Sequence, residues 1–493
     1  MPRSMISFIR RGQRIDVSHI DPKMTLLDWL RLHERSTGTK EGCAEGDCGA
    51  CTVVLARERD GKLVYEPVNA CILLLGQVDG TEVITVEDLA SSSQLHQVQK
   101  SMVENHASQC GFCTPGIVMS LFALSHSRNT IIDRSEINSA LAGNLCRCTG
   151  YRPIIDAALE ACSNHSPDQF DARAEQTLHL FKQFRSLEDV FVGDDDAFFA
   201  APAAESSLAF LVQKYPDATL IAGATDVGLW ITKGLAPIKR LIWLGRIRAL
   251  SVIEDTESTL SIGAGVTHEI AAPYLEKIDP DFKEIASRFG SKQVRSSGTV
   301  VGNIANGSPI GDWPPCFIIL EGEIELRAGL VARTVALEDY FIAYKKQNRE
   351  SGEYLRRVLL KKPGPNDHIR LFKITKRRDE DISSVMSAFR ITVEEGLVTQ
   401  ARIAFGGMAG TPKRARSAEA AIIGLPIKDI TTWRAGAEGL SMDFEPLSDH
   451  RASSDYRMRV ARNLVIKALA EIAGVPSSST RIFGLREAAH AAE

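Results

Sequence analysis

Eight of the ten cysteines in this chain fall between Cys43 and Cys148, and the next 345 residues hold only Cys162 and Cys316. Thiols grouped at short spacings constrain a fold strongly, because ligands of one metal centre must converge on a point. Residues 41–52 read EGCAEGDCGACT, which places Cys43, Cys48 and Cys51 in C-x4-C-x2-C spacing, with Cys71 following after nineteen residues. This is the spacing of plant-type [2Fe-2S] centres. Three thiolates on one tight loop must wrap a compact cluster whose sulfides accept backbone N–H groups, and Gly42, Gly46 and Gly49 permit the turns and the close approach. Four-cysteine zinc sites are the alternative, but they favour repeated C-x2-C pairs, which this loop lacks.

A second set comprises Cys110 and Cys113 in QCGFCTPG, and Cys146 and Cys148 in NLCRCTGY. C-x2-C with C-x-C is a less specific metal pattern, open to [2Fe-2S] or to another ion. Pro115 suits the first turn of a helix, so the first pair of thiolates is expected at a helix start, where the positive dipole end favours negative charge. Cys162 and Cys316 have no partner at ligand spacing and read as small buried hydrophobes.

With 493 residues, 44% hydrophobic and 24% charged, the chain suits a soluble globular protein of about three domains. A net charge of -4 supplies no broad basic surface, so nucleic acid is not an expected partner. The start, MPRSMISFIRRG, has no apolar leader core, and no apolar run nears the roughly 20 residues that cross a bilayer. No membrane association is expected, and a cytoplasmic location follows as the default. In a reducing compartment, grouped thiols are expected to serve as ligands.

Residues 1–88 alternate in short segments (MISFIRRGQRIDV, TVVLARE, TEVITVEDL) with one helix near LLDWLRLHE, which predicts a small β-rich domain. Residues 89–164 turn helical, with one helix after Pro115, a second opened by Ser135 and Glu136, and a third from Pro153 to about Cys162. Polar residues 165–185 read as a linker. Strand-like and helical runs alternate over 186–366, and 367–493 places strands first and helices after 414. Within 186–366, LIAGATDVG ends a strand in small residues that let backbone N–H groups approach an anion, although a plain strand and turn would read the same way. IGAGVTH is a turn, and no G-x-G-x-x-G follows a strand, so a Rossmann fold is not indicated.

Together, EGCAEGDCGACT, QCGFCTPG and GNLCRCTGY resemble the iron-sulfur region of the xanthine dehydrogenase and aldehyde oxidase family of molybdenum hydroxylases. LIAGATDVG and GTVVGNIANGSPIGD extend the resemblance into the FAD region of that family. The resemblance implies a multi-domain α+β chain. Its parts are a β-grasp plant-ferredoxin-like domain, a helical [2Fe-2S] domain of four helices, an α+β FAD-binding domain of the vanillyl-alcohol-oxidase/PCMH type and a C-terminal α+β flavoprotein domain. It assigns the eight cysteines to two [2Fe-2S] clusters. It places Leu220, Ile221, Ala222, Gly223, Ala224, Thr225, Asp226 and Val227 around the FAD diphosphate, and Thr299, Asn303, Ser308 and Asp312 along the cofactor. Phe289 would lie near an FAD ring, and Lys373 in LFKITKRRDED would be a flavin neighbour, although KRRDED also reads as a solvated charge run. The stretch from Tyr344 to Lys362 departs from the family pattern, which leaves any ligand there, such as Leu355, unassigned.

Gln109 resembles a family glutamine that abuts the molybdenum cofactor. The resemblance implies a split enzyme in which a separate large subunit holds molybdopterin and the substrate, the two forming an (αβ)2 heterotetramer. Electrons from hydroxylation of a purine such as hypoxanthine or xanthine would pass through the Cys110, Cys113, Cys146, Cys148 cluster to the Cys43, Cys48, Cys51, Cys71 cluster, then to FAD and to NAD+. This chain would supply no general base. The alternatives are the equivalent subunit of an aldehyde or N-heterocycle hydroxylase, a stand-alone NADH reductase, and a zinc-stabilised interaction protein.

Overall fold

Both faces of the first strand are apolar, and each finds a separate cover. In the computed structural model, which describes residues 2–91, 94–127, 132–163, 167–184 and 188–482, Ile6 and Phe8 point into a core with Leu26, Leu30, Val53, Leu55 and Val83, while Ile9 packs on Phe181. Burying each such side chain contributes about 1.5–3 kcal/mol. The strand pairs antiparallel with Gln13–Val17 and parallel with Glu82–Ile84, and the sheet continues through Thr52–Arg59 to Lys62–Asn69. The helix expected at LLDWLRLHE is a short turn, Leu26–Asp28, that widens over Trp29–His33, where the Glu34 N–H reaches the Trp29 carbonyl.

Among the described residues four helices follow: Gln97–Glu104, Thr114–Ser125, Arg134–Leu141 and Arg152–Cys162. Pro115 and Pro153 sit in the first turns of the second and fourth, where a missing N–H costs nothing. The third begins one residue before Ser135, because the Asp133 carboxylate accepts from the Glu136 N–H and caps it. The stretch read as a linker carries two helices in its described part, Gln169–Ala172 and Ala174–Phe184. Its Phe170 is buried against Phe122, and its Phe181 covers Ile9, so these residues are part of the core.

The chain forms two compact units, Met1–Ala249 with Gly290–Gly298, and Leu250–Phe289 with Thr299–Glu493. The first also contains a four-stranded sheet in the order Val190–Gly193, Phe198–Ala201, Arg240–Trp243, Thr219–Ile221, in which the last three strands run parallel. In the second unit, one five-stranded antiparallel sheet has Tyr354–Lys361 at its centre. A four-stranded sheet, Asp367–Ile374 to Lys413–Arg414, packs its Phe389, Ile391, Ile403 and Phe405 with Leu440, Val465 and Leu469 of the helices Ile430–Asp443 and Ser454–Ile472. Residues 186–366 therefore divide between the units by contact. No local strand or helix pattern encodes that division.

Candidate functional site: two thiol sets and a phosphate-type loop

The Cys43 Sγ receives the backbone N–H groups of Glu45, Asp47 and Cys48, each at 3.4 Å. Ala44, Gly46 and Gly49 have φ values of 55°, 77° and 68°, and this left-handed path curls the loop around one sulfur. The Cys48 and Cys71 thiols lie beside that of Cys43 and hold it far below the usual thiol range, and the Cys51 thiol lies beside that of Cys71. Cys51 and Cys71 are buried, while Cys43 and Cys48 are half-buried. Asn69 ties the loop to the strand before Cys71, its Nδ2 donating to the Gly46 carbonyl at 2.8 Å. Four convergent thiols ringed by inward N–H donors fit a [2Fe-2S] cluster.

The second set pairs Cys110 with Cys148 and Cys113 with Cys146, thiol to thiol. Burial, then the Cys146 thiol, pushes Cys113 up to about 12. Cys113 caps the helix Thr114–Ser125, and the Cys146 N–H donates to the Tyr151 hydroxyl at 2.8 Å. Cys110 and Cys148 are exposed, as are Phe112, Leu145 and Tyr151 around them.

The two sets are stitched together. The Leu145 N–H, beside Cys146, donates to the Cys48 carbonyl at 3.0 Å. A Cβ at Gly49 would stand 2.0 Å from the Gly143 carbonyl oxygen, and one at Gly116 would stand 2.1 Å from the Gly49 carbonyl oxygen. Backbone on backbone leaves those positions to glycine.

On its other side the first loop meets residues 220–232. Thr232 Oγ1 donates to the Ala44 carbonyl at 2.7 Å, and the Gly228 Cα lies so close to Ile72 that a Cβ would be 2.6 Å from its carbonyl oxygen. Leu220 and Ile221 end the strand Thr219–Ile221, and the Ala222 carbonyl accepts from Gln77 Nε2 and Trp243 Nε1. Gly223 must lack a Cβ, which would lie 2.1 Å from the Ser297 carbonyl oxygen, and Ala224 has φ 57°. Among the described residues, the N–H groups of Gly223, Ala224 and Thr225 donate to no protein acceptor. Asp226 and Val227 then open the helix Val227–Thr232. Unpartnered amides on a turn of small residues fit an anionic group such as a diphosphate.

In the second unit, Thr299 spends its hydroxyl capping Val300–Ala305, accepting from the Gly302 N–H at 3.0 Å. Asn303 Oδ1 is buried with no hydrogen-bond partner, an acceptor that a donor on a bound group would satisfy. Ser308 Oγ accepts from the Ile310 N–H. Asp312 and Lys373 meet as a buried ion pair at 2.6 Å, with Ser383 Oγ donating to the other Asp312 oxygen. Phe289 lies against His268, with ring centroids 4.1 Å apart and planes tilted by 40°, and stacks on Trp313, whose Nε1 donates to His268 Nδ1. His268 and Trp313 carry no motif that sequence reading could use. The turn after KRRDE is organised by Asp381, which accepts from the Lys376 and Arg377 N–H groups. His126, Asp168 and Asp171 also cluster, but Asp168 and Asp171 cap the helix Gln169–Ala172 reciprocally and Asp168 pairs with His96 and His126. Among the described residues no helix is long and apolar enough to cross a membrane.

Residues 8–75 match the family model of the 2Fe-2S iron-sulfur cluster binding domain, and 85–159 that of the [2Fe-2S] binding domain. Residues 195–361 match the FAD binding domain in molybdopterin dehydrogenase, and 370–472 the CO dehydrogenase flavoprotein C-terminal domain. A xanthine dehydrogenase of Drosophila pseudoobscura pseudoobscura is 31% identical over 95% of this chain and 39% of its own length. Xanthine dehydrogenase 2 of Arabidopsis thaliana is 31% identical over 81% of this chain and 35% of its own. The chain thus spans well under half the length of these relatives. Among solved structures, a chain of the Cu,Mo-CO dehydrogenase in its cyanide-inactivated form superposes with TM-score 0.52 at 25% identity, covering 55% of this chain and 95% of that one. Quinoline 2-oxidoreductase from Pseudomonas putida 86 gives 0.52 at 26%, again over 55% and 95%.

Proposed function

Because the chain belongs to the molybdenum hydroxylase family, of which it is the iron-sulfur and FAD part, we propose that it passes electrons from purine hydroxylation on a molybdopterin-binding partner to NAD+. Its cofactors are two [2Fe-2S] clusters and an FAD. We assign the first cluster to Cys43, Cys48, Cys51 and Cys71, and the second to Cys110, Cys113, Cys146 and Cys148. The FAD diphosphate is assigned to residues 220–227. Thr299, Asn303, Ser308, Asp312, Phe289 and Lys373 keep the flavin-side roles that the resemblance gives them. When bound, the clusters take up and release single electrons, and the flavin exchanges them for a pair.

The observation that carries this reading is the serial stitching inside the first unit. One hydrogen bond, Leu145 N–H to Cys48 carbonyl, joins the outer thiol set to the inner one, and another, Thr232 hydroxyl to Ala44 carbonyl, joins the inner set to the helix after the diphosphate loop. The outer set, half exposed and rimmed by Phe112, Leu145 and Tyr151, is the face proposed for the partner, with Gln109 beside it. The chain positions its cofactors and supplies no base, an (αβ)2 assembly is proposed, and the need for reduced thiols favours the cytoplasm. The long alignments with xanthine dehydrogenases support a purine. The likeness to quinoline 2-oxidoreductase favours an N-heterocycle as the second reading.

The test is to purify the chain with whatever accompanies it and to measure iron, flavin and molybdenum, then NAD+ reduction with xanthine and with quinoline. Four irons and one FAD per chain with xanthine-dependent turnover are expected. Zinc without flavin overturns the cofactor assignment, and turnover of quinoline alone overturns the purine.

A further inference from the structure

Gln293 is fully buried on the short helix Lys292–Ser297, and its Nε2 lies 3.1 Å from Thr52 Oγ1, 3.2 Å from Ser120 Oγ and 3.0 Å from Asn144 Oδ1. These partners are themselves buried and joined. Ser120 Oγ donates to Asn144 Oδ1 at 2.7 Å, Asn144 Nδ2 reaches the Gly49 carbonyl at 3.2 Å and Thr52 Oγ1 at 3.3 Å, and Thr52 Oγ1 donates to the Gly49 carbonyl at 2.7 Å. Thr52 follows Cys51, Gly49 follows Cys48, and Asn144 lies two residues before Cys146. One side chain thus holds both thiol sets by groups one or two residues from their ligands.

The fit is close at each end of the helix. A Cβ on Gly143 would stand 2.3 Å from Ser291 Cβ and 2.6 Å from Gln293 Oε1, while Ser297 and Gly298 abut Gly223 of the diphosphate loop. The network also leaves Gln293 Oε1 buried without a partner. Retaining a buried amide with one unmet acceptor costs free energy that an apolar residue would avoid, which suits a positional role better than a stabilising one.

We propose that Gln293 is a positioning residue that sets the spacing of the two iron-sulfur clusters relative to each other. The proposal rests on the two-cluster assignment above. Removing the Nε2 donors takes away the anchor that Thr52 and Asn144 share, so the two loops, still joined by the Asn144–Thr52 and Leu145–Cys48 hydrogen bonds, settle at a different spacing while each keeps its four thiols.

The experiment is low-temperature EPR of the dithionite-reduced holoprotein, in which two reduced clusters split each other's signals by an amount that depends on their separation and orientation. Gln293→Leu and the isosteric Gln293→Glu, which keeps the volume and leaves at most one donor in place of two, are compared with the parent at equal iron and flavin content. The expected result is full iron loading with a shifted or lost splitting in both variants. If Gln293→Leu fails to fold, Gln293→Glu supplies the same readout, and Ser120→Ala, which removes one acceptor, gives a smaller shift in the same direction. A splitting identical to the parent in the loaded variants overturns the proposal. A parent protein without two reducible clusters overturns the functional reading instead, so the two failures are distinguishable.

Discussion

Around Cys43 the protein supplies three backbone N–H groups, left-handed glycines at 46 and 49, and contact on two sides. Around Cys110 and Cys148 it supplies exposure. Gly111 takes φ 82° with nothing within 4 Å of where a Cβ would stand, and the neighbouring Phe112 and Leu145 are 47% and 46% exposed. Two sites of one chemistry are thus built to different tolerances. The inner set is enclosed by its own chain, whereas the outer leaves an apolar rim of the kind that marks a docking face.

The sharpest way to break this contrast is a pair of alanines. Gly49→Ala forces a Cβ onto the Gly143 carbonyl and a non-glycine residue into the left-handed region, and is expected to cost about 3–5 kcal/mol and strip the inner iron, read by melting temperature and iron content. Gly111→Ala meets only the backbone penalty, about 1–2 kcal/mol, and keeps its iron. Equal losses would erase the distinction. Next in size, Cys71→Ser and Cys148→Ser should each remove half the iron, but only the buried Cys71 should lower stability, by about 2 kcal/mol or more. Phe112→Ser should change stability by less than about 0.5 kcal/mol while weakening co-purification of a molybdopterin subunit. A normal yield of that complex would move the docking face elsewhere.

The smallest effect concerns pH and the helical region that carries the outer set. Burial alone would lower the His126 pKa, but the hydrogen bond to Asp168 and its charge raise it above the usual 6.5. Burial alone would raise Asp168, but His126 and then His96 hold it well below 3.8. Asp171 and Tyr65 also face this group. The stabilisation from His126 is complete below 6.5 and lost as pH rises through its raised value, and that from Asp168 is complete above 3.8 and lost on acidification. The melting-temperature gap between the parent and His126→Gln should therefore be widest between these values and shrink above neutrality. A gap constant from pH 5 to 9 would remove the ion pair from the account.

The two thiol sets were legible because their short spacing is local, and Pro115 and Pro153 marked helix starts for the same reason. Gln293 was not, since its three partners lie 241, 173 and 149 residues away and no local pattern pairs a glutamine with them. Lys373 and Asp312, read singly as flavin contacts, face each other as an ion pair across 61 residues of sequence. The helices within 165–185 escaped notice because their apolar residues, Phe170 and Phe181, are single anchors that leave most of the stretch polar.

The return of residues 290–298 to the first unit bears on how the chain is made. A ribosome that has released only the first 249 residues has delivered both thiol sets, yet Thr52, Ser120 and Asn144 still lack the amide that caps them. The unit therefore closes in its final form only after a further 49 residues have emerged, and a protein cut at Ala249 would be an unfinished fold with an open polar seam beside its two thiol sets.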